Sequence, residues 1–152
     1  YVARRPSYFG TPAVNLVFAL NVALGQILAE GLEQRFARHQ LLSRMCQAGI
    51  AALGLGQVPL QAEFAAHTLT APRYPVGMDG AAFLAKTAKA GVVLAGGLHP
   101  AIKAEYFRIG HMGAHTPGDV LAAIGAIETA LAGCGYEFDA GAGVGAAQAA
   151  AM

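Results

Sequence analysis

The chain has 152 residues, 55% of them hydrophobic and only 12% charged, with a net charge of +1. That balance argues against nucleic acid or an anionic membrane surface as partner, and the length suits one domain with a substantial core. Cys46 and Cys134 lie far apart inside helical patterns, so they are read as free thiols of an intracellular protein, with the cytoplasm ahead of peroxisome or mitochondrion.

The opening, YVARRPSYFG, has arginines but no apolar run directly behind them, so a secretory signal is not expected. It also lacks an initiator methionine, which suggests a fragment or a processed product. Ser7 to Ala29 contains no charged side chain, a length that would span a bilayer. Gly10, Pro12, Asn15, Asn21 and Gln26 interrupt it, however, and Glu30 and Glu33 follow at once. A helix covered by a larger assembly is the better reading.

In chain order, Thr11-Pro12 reads as a helix start, with Thr11 as N-cap and Pro12 at the first helical position. Leu16, Leu20, Leu24 and Leu28 continue at helical spacing to a break at Gly31. A second, amphipathic helix begins at Leu32 and closes at Gly54 or Gly56. Gln57–Gln61 and Phe64–Ala71 read as short strands, and Asp79 as the cap of a helix over Gly80–Ala90 that stops at Gly91. Val92–Leu94 and Tyr106–Ile109 read as further strands. Thr116-Pro117-Gly118-Asp119 has the pattern of a capping box, with Asp in place of Glu, opening a helix that ends near Gly133. The remainder, AGAGVGAAQAAAM, offers too little apolar side chain to offset its ordering entropy and is expected to be a disordered tail. The expected fold is α+β: two N-terminal helices, then a small antiparallel or mixed sheet of about four strands with helices on one face.

The stretch YFRIGHMG, Tyr106–Gly113, raises a chemical question. Strand alternation sends Phe107 and Ile109 to one face and Tyr106 and Arg108 to the other. A guanidinium in such a strand must be paired, because an isolated buried charge is costly, and its planar fork suits a carboxylate. That carboxylate is either an acidic residue of the fold or one that arrives with a ligand. Tyr8-Phe9-Gly10-Thr11 sets a phenol and a hydroxyl ahead of a helix N-terminus, where an anion would be favoured, although Thr11 as a plain cap explains the same residues. His39, His67, His99, His111 and His115 lack the spacing of a metal site, and no nucleophile–base motif is recognisable.

Taken with AGGLHP before it and TPGDVLAAIGAIETAL after it, YFRIGHMG resembles the C-terminal domain of the class V, fold-type I aminotransferases, which use pyridoxal phosphate (PLP). The alanine–glyoxylate and serine–pyruvate or serine–glyoxylate group is most similar. YFGTPAVNLVFALNVALGQILAEGLEQRFARH resembles the same family's Tyr-x-x-Thr loop and the helix pair behind it, so the likeness runs from about Tyr8 to Gly133.

The resemblance implies that Arg108 grips the substrate α-carboxylate. It also implies that Tyr8 and Thr11 reach the cofactor phosphate across the interface of a homodimer. Residues 1–31 would end the large domain, 32–138 would form the small domain with its linking helix, and 139–152 would be the tail. The family's Schiff-base lysine and the aspartate beside its cofactor ring would lie upstream of Tyr1, and Lys86, Lys89 and Lys103 do not stand in that lysine's context. The chain alone is therefore not expected to transaminate, and no catalytic residue is assigned within it. The competing reading is a stand-alone, non-catalytic α+β module for small-carboxylate binding or dimer assembly.

Overall fold

The computed structural model describes residues 10–152. The chain forms two compact units, Tyr1–Phe36 and Ala37–Met152. In the first, helix α1 spans Val14–Glu30, with no buried residue and most of its apolar side chains exposed. It starts later than Thr11-Pro12 suggests. Ala13 is the N-cap, without a side-chain hydrogen bond, and the Ala13 carbonyl accepts from the Leu16 and Val17 amides. Pro12 instead accepts from the Val14 amide at 2.8 Å, so the Thr-Pro pair forms the approach to the helix rather than its first turn. Gly31 breaks the helical run in the left-handed region, φ +86°, where a side chain is strained.

Helix α2, Leu32–Ala52, runs on into the second unit, where His39, Leu42, Met45, Cys46, Gly49 and Ile50 are buried. Gly54, at φ +72°, ends it, and the Leu55 amide closes back on the Ile50 carbonyl. Three further helices follow: α3, Gly80–Lys89; α4, Pro117–Gly133; and α5, Ala142–Ala149. Asp79 accepts from the Ala81 and Ala82 amides at the head of α3. Thr116 and Asp119 form the reciprocal capping box of α4, with Pro117 in its first turn.

The sheet has three short strands, β1 Leu69–Thr70, β2 Ala95–Gly96 and β3 Phe107–Gly110, in the order β1-β3-β2. Both pairings are antiparallel, with Leu69 opposite Gly110, Thr70 opposite Ile109, Ala95 opposite Arg108 and Gly96 opposite Phe107. The expected strand at Gln57–Gln61 does not form: only a bridge from Gln57 to Pro72 survives. Pro59 lacks the N–H a ladder needs, and Ala62–Phe64 closes a 3-10 turn. The Phe64–Ala71 run shrinks to β1, and the Val92–Leu94 expectation moves on to Ala95–Gly96.

The core lies between α2, α3, α4 and the Phe107/Ile109 face of β3, where the Phe83 and Phe107 ring centroids are 4.8 Å apart. The tail departs most from expectation, because Ala142–Ala149 is helical and packs on α4. The Glu128 carboxylate accepts from the Gly141 amide at 2.9 Å and the Val144 amide at 3.1 Å, capping α5 from across the fold.

Candidate functional site

β3 is the middle strand, so its residues are held by partners on both sides. Its burial alternates as the sequence suggests: Phe107 and Ile109 are buried and Arg108 is half-buried on the other face. Arg108 Nε donates to the Gly96 carbonyl oxygen at 2.7 Å. Among the described residues no carboxylate pairs with Arg108, and neither Nη1 nor Nη2 has a hydrogen-bond partner. The guanidinium is thus aimed by one bond while its two terminal amino groups remain available for a bidentate carboxylate. The internal salt bridge that the sequence left open is not found among the described residues.

Arg108 helps to line a cavity of about 540 Å³ between β3, the 91–95 segment and the start of α4, with His111, His115, Asp119 and Cys46 also on its wall. The Asp119 carboxylate is committed to the α4 cap, accepting from the Thr116 amide at 2.7 Å, which holds its pKa below the usual value. Burial pushes the Cys46 thiol up to about 12, so it behaves as an apolar core group. His111 is 2% exposed, and burial pushes its pKa down to about 4. Its Nε2 shares a hydrogen bond with Thr70 Oγ1 at 2.9 Å, whereas its Nδ1 is buried without a partner. Among the described residues no group of three His, Cys, Asp or Glu side chains could hold a metal ion.

The loop before β3 is bound closely to the strand. Tyr106 Oη accepts from the Leu98 amide at 2.9 Å and the His99 amide at 3.3 Å. A Cβ on Gly97 would stand 2.5 Å from the Lys103 carbonyl oxygen and 2.6 Å from the Tyr106 ring, so only glycine fits. The sequence did not single out Tyr106 as a functional residue. The available signal was its place two residues from Arg108 on the same strand face, behind a Gly-Gly turn.

Tyr8, expected at a phosphate site, lies outside the described residues. Thr11 lies ahead of α1, exposed to solvent. None of Lys86, Lys89 and Lys103 lines the Arg108 cavity. The geometry around Arg108 could accept a carboxylate.

The chain thus combines a small antiparallel sheet backed by helices with one arginine, Arg108, oriented by the Gly96 carbonyl. By sequence and fold it is homologous to the C-terminal portion of the class V aminotransferases, the alanine–glyoxylate and serine–glyoxylate enzymes among them, a class that uses PLP. It is 39% identical over 117 residues to alanine–glyoxylate aminotransferase 1 of Saccharomyces cerevisiae, covering 74% of this chain and 29% of the yeast protein. It is 43% identical over 143 residues to a protein of Synechococcus sp. (strain PCC 6716) named as the small subunit of a soluble hydrogenase, covering 90% of this chain and 35% of that one. Among solved structures, pyridoxamine–pyruvate aminotransferase from Mesorhizobium loti superposes with a TM-score of 0.89 at 34% identity, covering 97% of this chain and 38% of that one. The chain thus spans about a third of the length of the curated relatives it matches. No family model matches it.

Proposed function

We propose that the chain is the C-terminal segment of a PLP-dependent aminotransferase that moves an amino group from alanine or serine to glyoxylate or pyruvate. The observation that carries this is Arg108: Nε tied to the Gly96 carbonyl, two terminal amino groups without partners among the described residues, and a cavity beside it. Arg108 takes the substrate carboxylate through those two groups, and the bond to Gly96 restricts the plane in which it does so. A carboxylate held at two points leaves the neighbouring Cα little freedom, so its C–H bond is presented in one direction. The cofactor, when bound, supplies the electron sink for the carbon–hydrogen bond cleavage.

Tyr8 and Thr11 are assigned to the PLP phosphate of a partner subunit in a homodimer. The exposed apolar length of α1, with Phe18 at 68% and Leu28 at 75% exposure, supports a covering subunit or domain. The lysine that carries the cofactor is assigned to residues outside this chain.

The test is Arg108→Ala in the PLP-loaded holoenzyme that contains this chain. Loss of a charge-assisted bidentate pair should raise KM strongly and lower kcat/KM by about 10²–10³-fold. Unchanged kinetics would remove Arg108 from the site and leave the binding reading without support.

A further inference from the structure

We propose that Tyr106 is a positioning residue for Arg108: its hydroxyl oxygen clamps the Gly96–His99 loop to β3, and the Gly96 carbonyl of that loop aims the guanidinium. The proposal rests on the reading of Arg108 as the substrate-carboxylate arginine. Tyr106 is 7% exposed and shares a strand face with Arg108, two residues away. Both acceptor sites of its phenol oxygen are taken by consecutive amides, Leu98 at 2.9 Å and His99 at 3.3 Å. Those amides follow Gly96 by two and three residues, and Gly96 receives the Arg108 Nε hydrogen bond at 2.7 Å.

Apart from the β2–β3 pairing, the other bonds at this loop are local to His99, whose carbonyl accepts from the Ile102 amide at 3.0 Å and whose Nδ1 accepts from the Ala101 amide at 3.3 Å. The β2–β3 ladder ends at the pair Gly96–Phe107, and the Leu98 side chain is 69% exposed. Gly97 lies so close to the Tyr106 ring that its missing Cβ would stand 2.6 Å from Cε1, so ring and loop form one packed unit. The two amides and the Arg108 charge lower the Tyr106 pKa, consistent with an oxygen that serves as an acceptor. A shift of the loop carries the Gly96 carbonyl with it, and the guanidinium then loses its fixed plane. Misplacement of a positioning group by about 1 Å is enough to weaken binding severely.

Tyr106→Phe keeps the ring and removes only the clamp. The freed amides stand in a solvent-facing loop, where water can satisfy them, so the fold should survive. In the PLP-loaded holoenzyme, Tyr106→Phe should raise KM for glyoxylate by about 5–30-fold while kcat changes by less than about 2-fold. In the Arg108→Ala background the same change should have little further effect on KM, because the two residues act in series.

A fall in kcat with unchanged KM, or no kinetic change, overturns the positioning role. So does a full additional KM effect in the Arg108→Ala background. If Arg108→Ala raises KM and Tyr106→Phe does not, this inference alone fails; if Arg108→Ala leaves KM unchanged, the functional reading fails and this one with it. Should Tyr106→Phe not give folded holoenzyme, Gly97→Ala displaces the same loop with the hydroxyl intact. The same KM-selective rise is then expected, and an unchanged KM overturns the proposal.

Discussion

The two faces of β3 are built from alternate residues of one short strand and obey opposite rules. Phe107 and Ile109 face inward, make no polar bond through their side chains, and are held by packing against Phe83 and the helices. Tyr106 and Arg108 face the other way and are held by directed bonds, three in all, to the 96–99 loop. The first face stabilises the domain whatever its neighbours do, provided volume is kept. The second fixes the direction of one cation. The comparison teaches that one strand can pack a core with one set of alternate residues and orient a cation with the other.

Phe107→Ala tests the first face with the largest expected effect. A fully buried ring removed from an aromatic cluster should cost about 3–5 kcal/mol in equilibrium unfolding. KM should stay near the parent value in whatever protein remains folded. Arg108→Ala is the mirror image. It should change unfolding free energy by no more than about 1 kcal/mol while producing the large kinetic loss already stated. A large stability loss from Arg108→Ala would break the distinction between the faces.

His111 continues the inward register and sharpens the comparison by pH, since it is a titratable group placed on the packing side. Thr70, His39 and His115 are the groups around it. Its folded pKa, about 4, lies below the ordinary value of 6.5, so the unfolded chain takes up the proton first as pH falls. Stability from this group is complete above pH 6.5 and is lost between pH 6.5 and about 4, by on the order of 3 kcal/mol. His111→Gln should flatten that part of an unfolding-versus-pH curve, and an unaltered slope would show that His111 is not its source. The smallest effect belongs to Thr116→Ala, which removes half of the α4 capping box. A loss of about 1 kcal/mol, read from thermal unfolding, is expected.

What the sequence made legible was local. The Asp79 cap and the Thr116–Asp119 box bond within three residues of themselves, so the pattern contains the whole interaction. Arg108 was legible because strand alternation needs only its immediate neighbours. The short strands were misjudged because a ladder needs a partner far along the chain, and Pro59 disqualifies a position that propensity alone would accept. The Thr11 cap failed for a subtler reason: a Thr-Pro pair suits both a helix start and the approach to one, and the chain here takes the approach. The Tyr106 clamp was hidden because it depends on where the 96–99 loop folds back, a distance that no spacing rule contains. The same applies to α5, which is ordered by a carboxylate 13 and 16 residues away.

Helix α5 also inverts the usual map of which positions tolerate change. Its Gly/Ala composition invites substitution, yet a Cβ at Gly143 would stand 2.9 Å from Leu53 Cγ and 3.0 Å from Ile124 Cγ2. Thinness is the property retained there: the helix meets the core through Gly143 and the methyl of Ala147. A surface-engineering scheme that treats this stretch as filler and enriches it in long, soluble residues would pry the last helix off the domain.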